Sequence, residues 1–145
     1  MTDTVLPNQL AEIRDEFLEL DEKSRLQLLL EFSQELPELP AKYADHPDLL
    51  ERVVECQSPV FIFVDVESDA VHLHATAPRE SPTTRGFASI LAQAIDGLTP
   101  AEVLAVPDDF PQMLGLTKVV SPLRLNGMNG MLRRTKRQLT ERIAG

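Results

Sequence analysis

Residues 60–76 read Val60-Phe61-Ile62-Phe63-Val64-Asp65-Val66-Glu67-Ser68-Asp69-Ala70-Val71-His72-Leu73-His74-Ala75-Thr76. The period is 2. Val60, Ile62, Val64 and Val66 share one face of a strand, and Phe61, Phe63 and Asp65 share the other. Val71, Leu73 and Ala75 then alternate with His72, His74 and Thr76, and Ser68-Asp69 between the runs reads as a turn. This pattern predicts a β-hairpin over residues 60–66 and 70–77, with Val53-Val54 as a third strand.

On both sides of the hairpin the period changes to 3.6. Leu10, Ile13, Phe17 and Leu20, then Leu26, Leu29, Leu30 and Phe32, predict helices over about residues 8–20 and 22–35, with Asp21 or Ser24 as the second N-cap. Leu36-Pro37-Glu38-Leu39-Pro40 stops the second helix, and an extended loop is expected as far as His46-Pro47. Past Pro82, Phe87, Ile90, Leu91 and Ala94 return to helical spacing, and Gly97 suits the C-terminal cap. Thr99-Pro100-Ala101-Glu102 has the form of a capping box, and Ser121-Pro122 repeats a start signal. Met128, Leu132, Thr135, Leu139 and Ile143 line a long last helix whose other face is basic. The order is helices, strands, helices. It predicts one α+β domain over residues 1–145, a small antiparallel sheet flanked by helices from both chain ends.

A chain of 145 residues with 43% hydrophobic and 26% charged residues can bury a core. No run of about 18 apolar residues and no signal-peptide pattern near Met1 is present, so the expectation is a cytoplasmic protein without membrane contact. A net charge of −9 argues against nucleic acid as a partner. The charge is uneven: residues 1–55 carry 14 acidic and 5 basic residues, and residues 118–145 carry 1 acidic and 7 basic. Either the two ends attract each other in the fold, or the basic end docks a protein partner.

Cys56 is the only cysteine, so there is no internal disulfide and no cysteine-rich zinc site, and His46, His72 and His74 are too few for a convincing metal centre. A lone cysteine is most often a small buried hydrophobe. Here Glu55, Gln57 and Ser58 are polar neighbours, and Pro59 marks a turn at the start of a strand, where a loop can present a side chain. No base is evident in the sequence. His72 and His74 fall on the outer face of the hairpin, and Glu55 disfavours a thiolate by like charge. Gly127-Met128-Asn129-Gly130 lacks phosphate-loop spacing.

Five segments in order carry a resemblance to the SufE family of sulfur-acceptor proteins. Leu36–Pro40 matches its "LPxLP" segment, and Val54-Glu55-Cys56-Gln57-Ser58-Pro59-Val60-Phe61 resembles the motif around its acceptor cysteine. Arg85-Gly86-Phe87-Ala88-Ser89-Ile90-Leu91, Leu98–Val103 and Leu116–Met131, the last containing Ser121-Pro122-Leu123-Arg124-Leu125-Asn126-Gly127, resemble three helical segments of the family. Three departures stand out. Glu55 replaces the family's glycine before the cysteine, Pro59 replaces the second glutamine of its Gln-Ser-Gln, and Ala77–Ser81 replaces its "GDSDA" segment.

The resemblance implies an α+β fold of the SufE/IscU kind with Cys56 on a loop at the end of the sheet. It implies that Cys56 takes persulfide sulfur from a cysteine desulfurase (SufS-like), stimulates that enzyme, and passes the sulfur to an iron–sulfur scaffold protein. The chain itself would be a non-autonomous transfer partner with no cofactor and no metal, the PLP belonging to the desulfurase. Gln57 and Ser58 of the motif, with Arg85 and Arg124, are the expected partner-binding or thiol-supporting residues. The alternative is a divergent module that binds and regulates a desulfurase without accepting sulfur.

Overall fold

The structure is a computed structural model that describes residues 6–144. The hairpin is built as its periodicity requires. Strand β2 (Phe61–Glu67) pairs antiparallel with β3 (Ala70–Thr76), in register from Phe61↔Thr76 to Glu67↔Ala70. Ser68 and Asp69 take left-handed φ values of 50° and 66°, the conformation that matches a two-residue turn to the strands' twist. The third strand, β1, is Glu51–Arg52 rather than Val53-Val54 and pairs antiparallel with β2. Val53 N–H still bonds Val60 O at 2.8 Å, but Cys56 N–H turns back to Val53 O at 3.1 Å. That turn ends the ladder before Val54, which is exposed.

Helices α1 (Asn8–Leu18), α2 (Glu22–Gln34), α3 (Ala41–Ala44), α4 (Pro82–Ile95), α5 (Pro100–Leu104) and α6 (Pro122–Ala144) surround the sheet. The start signals act as read. Asp21 accepts from Ser24 N–H at 2.8 Å, and Thr99 and Glu102 form a reciprocal capping box. Helix α4 is the centre of the core, with nine of its 14 residues buried. Gly86 allows α2 to approach: a Cβ there would lie 2.5 Å from the Leu29 carbonyl oxygen.

The loop after α2 is not wholly extended. Short α3 sets Tyr43 against the sheet's outer face, where its ring centroid lies 4.9 Å from that of Phe63 and its hydroxyl donates to Asp65 at 2.8 Å. The Arg142 guanidinium sits 4.4 Å from the Phe63 ring centroid on the same residue. Phe63, outward by alternation, is therefore buried.

Beyond β1, α6 completes the hydrogen bonding of β2. Gln138 Oε1 accepts from Val64 N–H at 2.8 Å, and Arg142 Nε donates to Val64 O at 2.9 Å. On β3, Val71 exchanges two backbone bonds with the segment after α4: Val71 N–H to Leu98 O at 2.7 Å, and Gly97 N–H to Val71 O at 2.8 Å. The acidic and basic ends meet in several ion pairs. Arg134 bridges Glu51 and Glu55, Arg137 reaches Glu51, and Lys118 approaches Glu22. Among the described residues, no helix is long and apolar enough to cross a membrane.

Candidate functional site

Cys56 lies in the turn between β1 and β2 and is 6% exposed. The turn holds itself by Cys56 N–H to Val53 O at 3.1 Å and Val60 N–H to Ser58 O at 2.8 Å. Helix α6 runs directly behind it. A Cβ on Gly127 would lie 3.0 Å from Cys56 Sγ and 3.6 Å from its Cα, so only glycine leaves room for the thiol without displacing it. One turn later, a Cβ on Gly130 would lie 2.7 Å from Glu55 Cδ. Two successive loop residues thus rest in two glycine notches of one helix.

A 220 Å³ pocket opens beside the cysteine. Its walls are Glu55–Ser58 of the turn, residues 80–84 at the start of α4, and Leu123, Arg124 and Gly127 of α6. Ser58 Oγ and Ser81 Oγ bond at 2.6 Å and tie the first two walls together. The segment that departs from the family pattern therefore borders the pocket. Gln57, Ser58 and Arg124 line the same cavity as Cys56. Arg85 is not among the lining residues. Its Nε donates to Ser33 O at 2.8 Å and its Nη1 to Ala77 O at 2.6 Å, which fastens the end of α2 to the loop before α4. The two hairpin histidines are engaged elsewhere: His72 Nδ1 lies 2.6 Å from Asp96 Oδ1, and His74 packs against Tyr43 with centroids 5.2 Å apart.

Burial pushes the Cys56 thiol up to about 11; the Glu55 charge adds to the rise and Arg134 opposes it. Burial also works against the Glu55 carboxylate. Hydrogen bonds from Arg134 and from its own backbone N–H, with the charges of Arg134 and Arg133, outweigh that and hold its carboxyl below the usual range. In this position the thiol is covered and protonated, which makes it a poor nucleophile. A thiol held this way reacts slowly with an electrophile until it leaves the notch. Sequence reading missed the Glu55–Arg134 contact and the seats at Gly127 and Gly130. A usable signal was present: two small residues one helical turn apart, followed by Arg133-Arg134, near a glutamate where the resembling motif has glycine.

Residues 11–139 match the family model for SufE, described as an Fe–S metabolism associated domain. The chain belongs to the SufE family. A SufE-like protein of Mycobacterium tuberculosis, described as uncharacterized, is 52% identical over 137 residues, 94% of each chain. A SufE-like protein of Synechocystis, likewise uncharacterized, is 30% identical over 130 residues, 88% of this chain and 77% of that one. The solution structure of a hypothetical protein from Thermus thermophilus superposes with a TM-score of 0.85 at 35% identity, covering 97% of this chain and 100% of the other. SufE membership ties the chain to Fe–S metabolism.

Proposed function

We propose that this SufE-family chain is a sulfur acceptor and carrier for a PLP-dependent cysteine desulfurase, with Cys56 as the accepting group. The donor is a persulfide on the desulfurase's own cysteine. The deprotonated Cys56 sulfur attacks the terminal sulfur of that persulfide, and the donor's S–S bond breaks. A new S–S bond forms on Cys56, and the donor cysteine leaves as a thiolate that takes up a proton. The exchange is redox-neutral and needs no metal or cofactor on this chain. A second exchange of the same kind passes the sulfur to an iron–sulfur scaffold protein.

The observation that carries this reading is the position of the chain's one cysteine, covered and protonated yet at the wall of a pocket that Arg124 also lines. Shelter protects a persulfide from water and oxidants. In this reading the Arg124 guanidinium favours an emerging thiolate and pairs with partner carboxylates. Gln57 and Ser58, on the same turn, line the same pocket.

Intact-protein mass spectrometry after incubation with a desulfurase, PLP and cysteine tests the reading. The expected result is a mass gain of one sulfur atom, reversed by a thiol reductant and absent in Cys56→Ser. If Cys56→Ser stimulates the desulfurase as strongly as the parent and the parent gains no sulfur, the chain is a non-accepting regulator instead.

A further inference from the structure

Glu55, the residue before the cysteine, is held more firmly than a solvated loop glutamate. Its side chain occupies the notch at Gly130, where a Cβ would approach Cδ to 2.7 Å and Cβ and Cγ to 2.9 Å. Its carboxylate meets Arg134 Nε at 2.8 Å, with Arg133 at 3.6 Å. Both partners of the closer pair are mostly covered, at 22% and 23% side-chain exposure, so solvent and salt screen it less than an open surface pair. Arg134 is itself anchored, because its Nη1 bonds Glu51 of β1 at 2.6 Å. The guanidinium therefore stays fixed to the sheet when the turn moves.

Cys56 is adjacent in the chain and sits in the next notch of the same helix, at Gly127. The two seats lie one helical turn apart, and one short turn of backbone connects their occupants. Lifting Cys56 out of its notch pulls on Glu55. We propose that Glu55 is a latch: its carboxylate, seated at Gly130 and gripped by Arg134, holds the turn closed and sets how often Cys56 emerges. Its consequence for sulfur transfer rests on the acceptor reading above; the latch itself is read on the thiol alone.

The test is the rate of Cys56 alkylation by iodoacetamide at fixed pH, in the full chain without partner. Charge and latch make opposite predictions for Arg134→Met. Arg134 lowers the thiol's pKa, so losing its field alone slows alkylation. Losing the latch accelerates it, here by roughly tenfold, the ratio that follows from about 1.4 kcal/mol of closing energy. Gly130→Ala changes no charge and favours the helix, yet its methyl displaces Glu55. It is expected to accelerate alkylation as well, and it keeps the test decisive if Arg134→Met folds poorly. Arg134→Lys, which retains the charge, should recover part of the protection. Thermal melts identify any gain in labelling that comes from global unfolding. Faster labelling in Arg134→Met or Gly130→Ala with a parental melt, but no sulfur on the parent in the mass assay, keeps the latch and removes the acceptor. Labelling at the parental rate or slower in both variants overturns the latch.

Discussion

The raised thiol pKa of Cys56 has a stability consequence that one substitution isolates. The native state holds this thiol protonated up to about 11, against the ordinary value of 9.0. Between those values the unfolded chain has released its proton and the native chain has not. Stability therefore falls as pH rises through this window, and the loss is complete only above the folded pKa. Two pKa units correspond to about 2.7 kcal/mol, of which roughly 2 kcal/mol should be gone by pH about 10.5. A serine at position 56 does not titrate there. Every other alkaline group, including Tyr43, whose pKa burial raises, is common to both proteins and cancels in the difference. The assay is urea unfolding of the parent and of Cys56→Ser at pH about 8, 9.5 and 10.5. The stability of the parent relative to the variant should fall by roughly 2 kcal/mol across the series, with unfolding slopes unchanged. Parallel loss in both proteins would refute the buried, protonated thiol, and with it the claim that the cysteine must leave its notch before it reacts.

Gly86→Ala should destabilise the fold by about 1–3 kcal/mol in urea unfolding despite alanine's better helix propensity, because its methyl meets the Leu29 carbonyl at 2.5 Å. Arg85→Ala should lower the melting temperature through the loss of its bonds to the Ser33 and Ala77 carbonyls, each worth about 1 kcal/mol. Arg124→Ala should melt like the parent yet stimulate a desulfurase less, most clearly at low salt; equal stimulation at every salt concentration would remove Arg124 from docking.

Local chemistry made much of this fold readable. Alternation over residues 60–76 specified the hairpin, Ser68-Asp69 its turn, and Thr99 with Glu102 the start of α5. What escaped reading depends on contacts between distant parts of the chain. Alternation faced Phe63 outward, and nothing near it announces that Tyr43 and Arg142 will cover it. Residues 53–54 are as strand-like as any, but a backbone bond from Cys56 to Val53 ends the pairing first. At the site, the motif residues Cys56, Gln57, Ser58 and Arg124 line one pocket. Arg85 belongs to the same set of motifs, but its guanidinium is taken up by two carbonyls that no pattern could have assigned to it. The Glu55–Arg134 contact spans 79 residues, beyond the reach of any helical or strand period.

The way α6 finishes β2 also limits how a partner can bind. A sheet edge with free N–H and C=O groups invites an extended peptide to add itself as another strand. On β2, where the two-residue β1 gives out, Gln138 and Arg142 already occupy the Val64 N–H and C=O. On the opposite margin, Leu98 and Gly97 occupy those of Val71. At these two positions strand addition finds the backbone hydrogen bonds already taken. A protein that docks here is left to read side chains and loops, such as the exposed Val54 and Leu123 that flank the cysteine. The same two positions are closed to pairing with a second copy of the chain, the hazard that small sheets with bare margins carry.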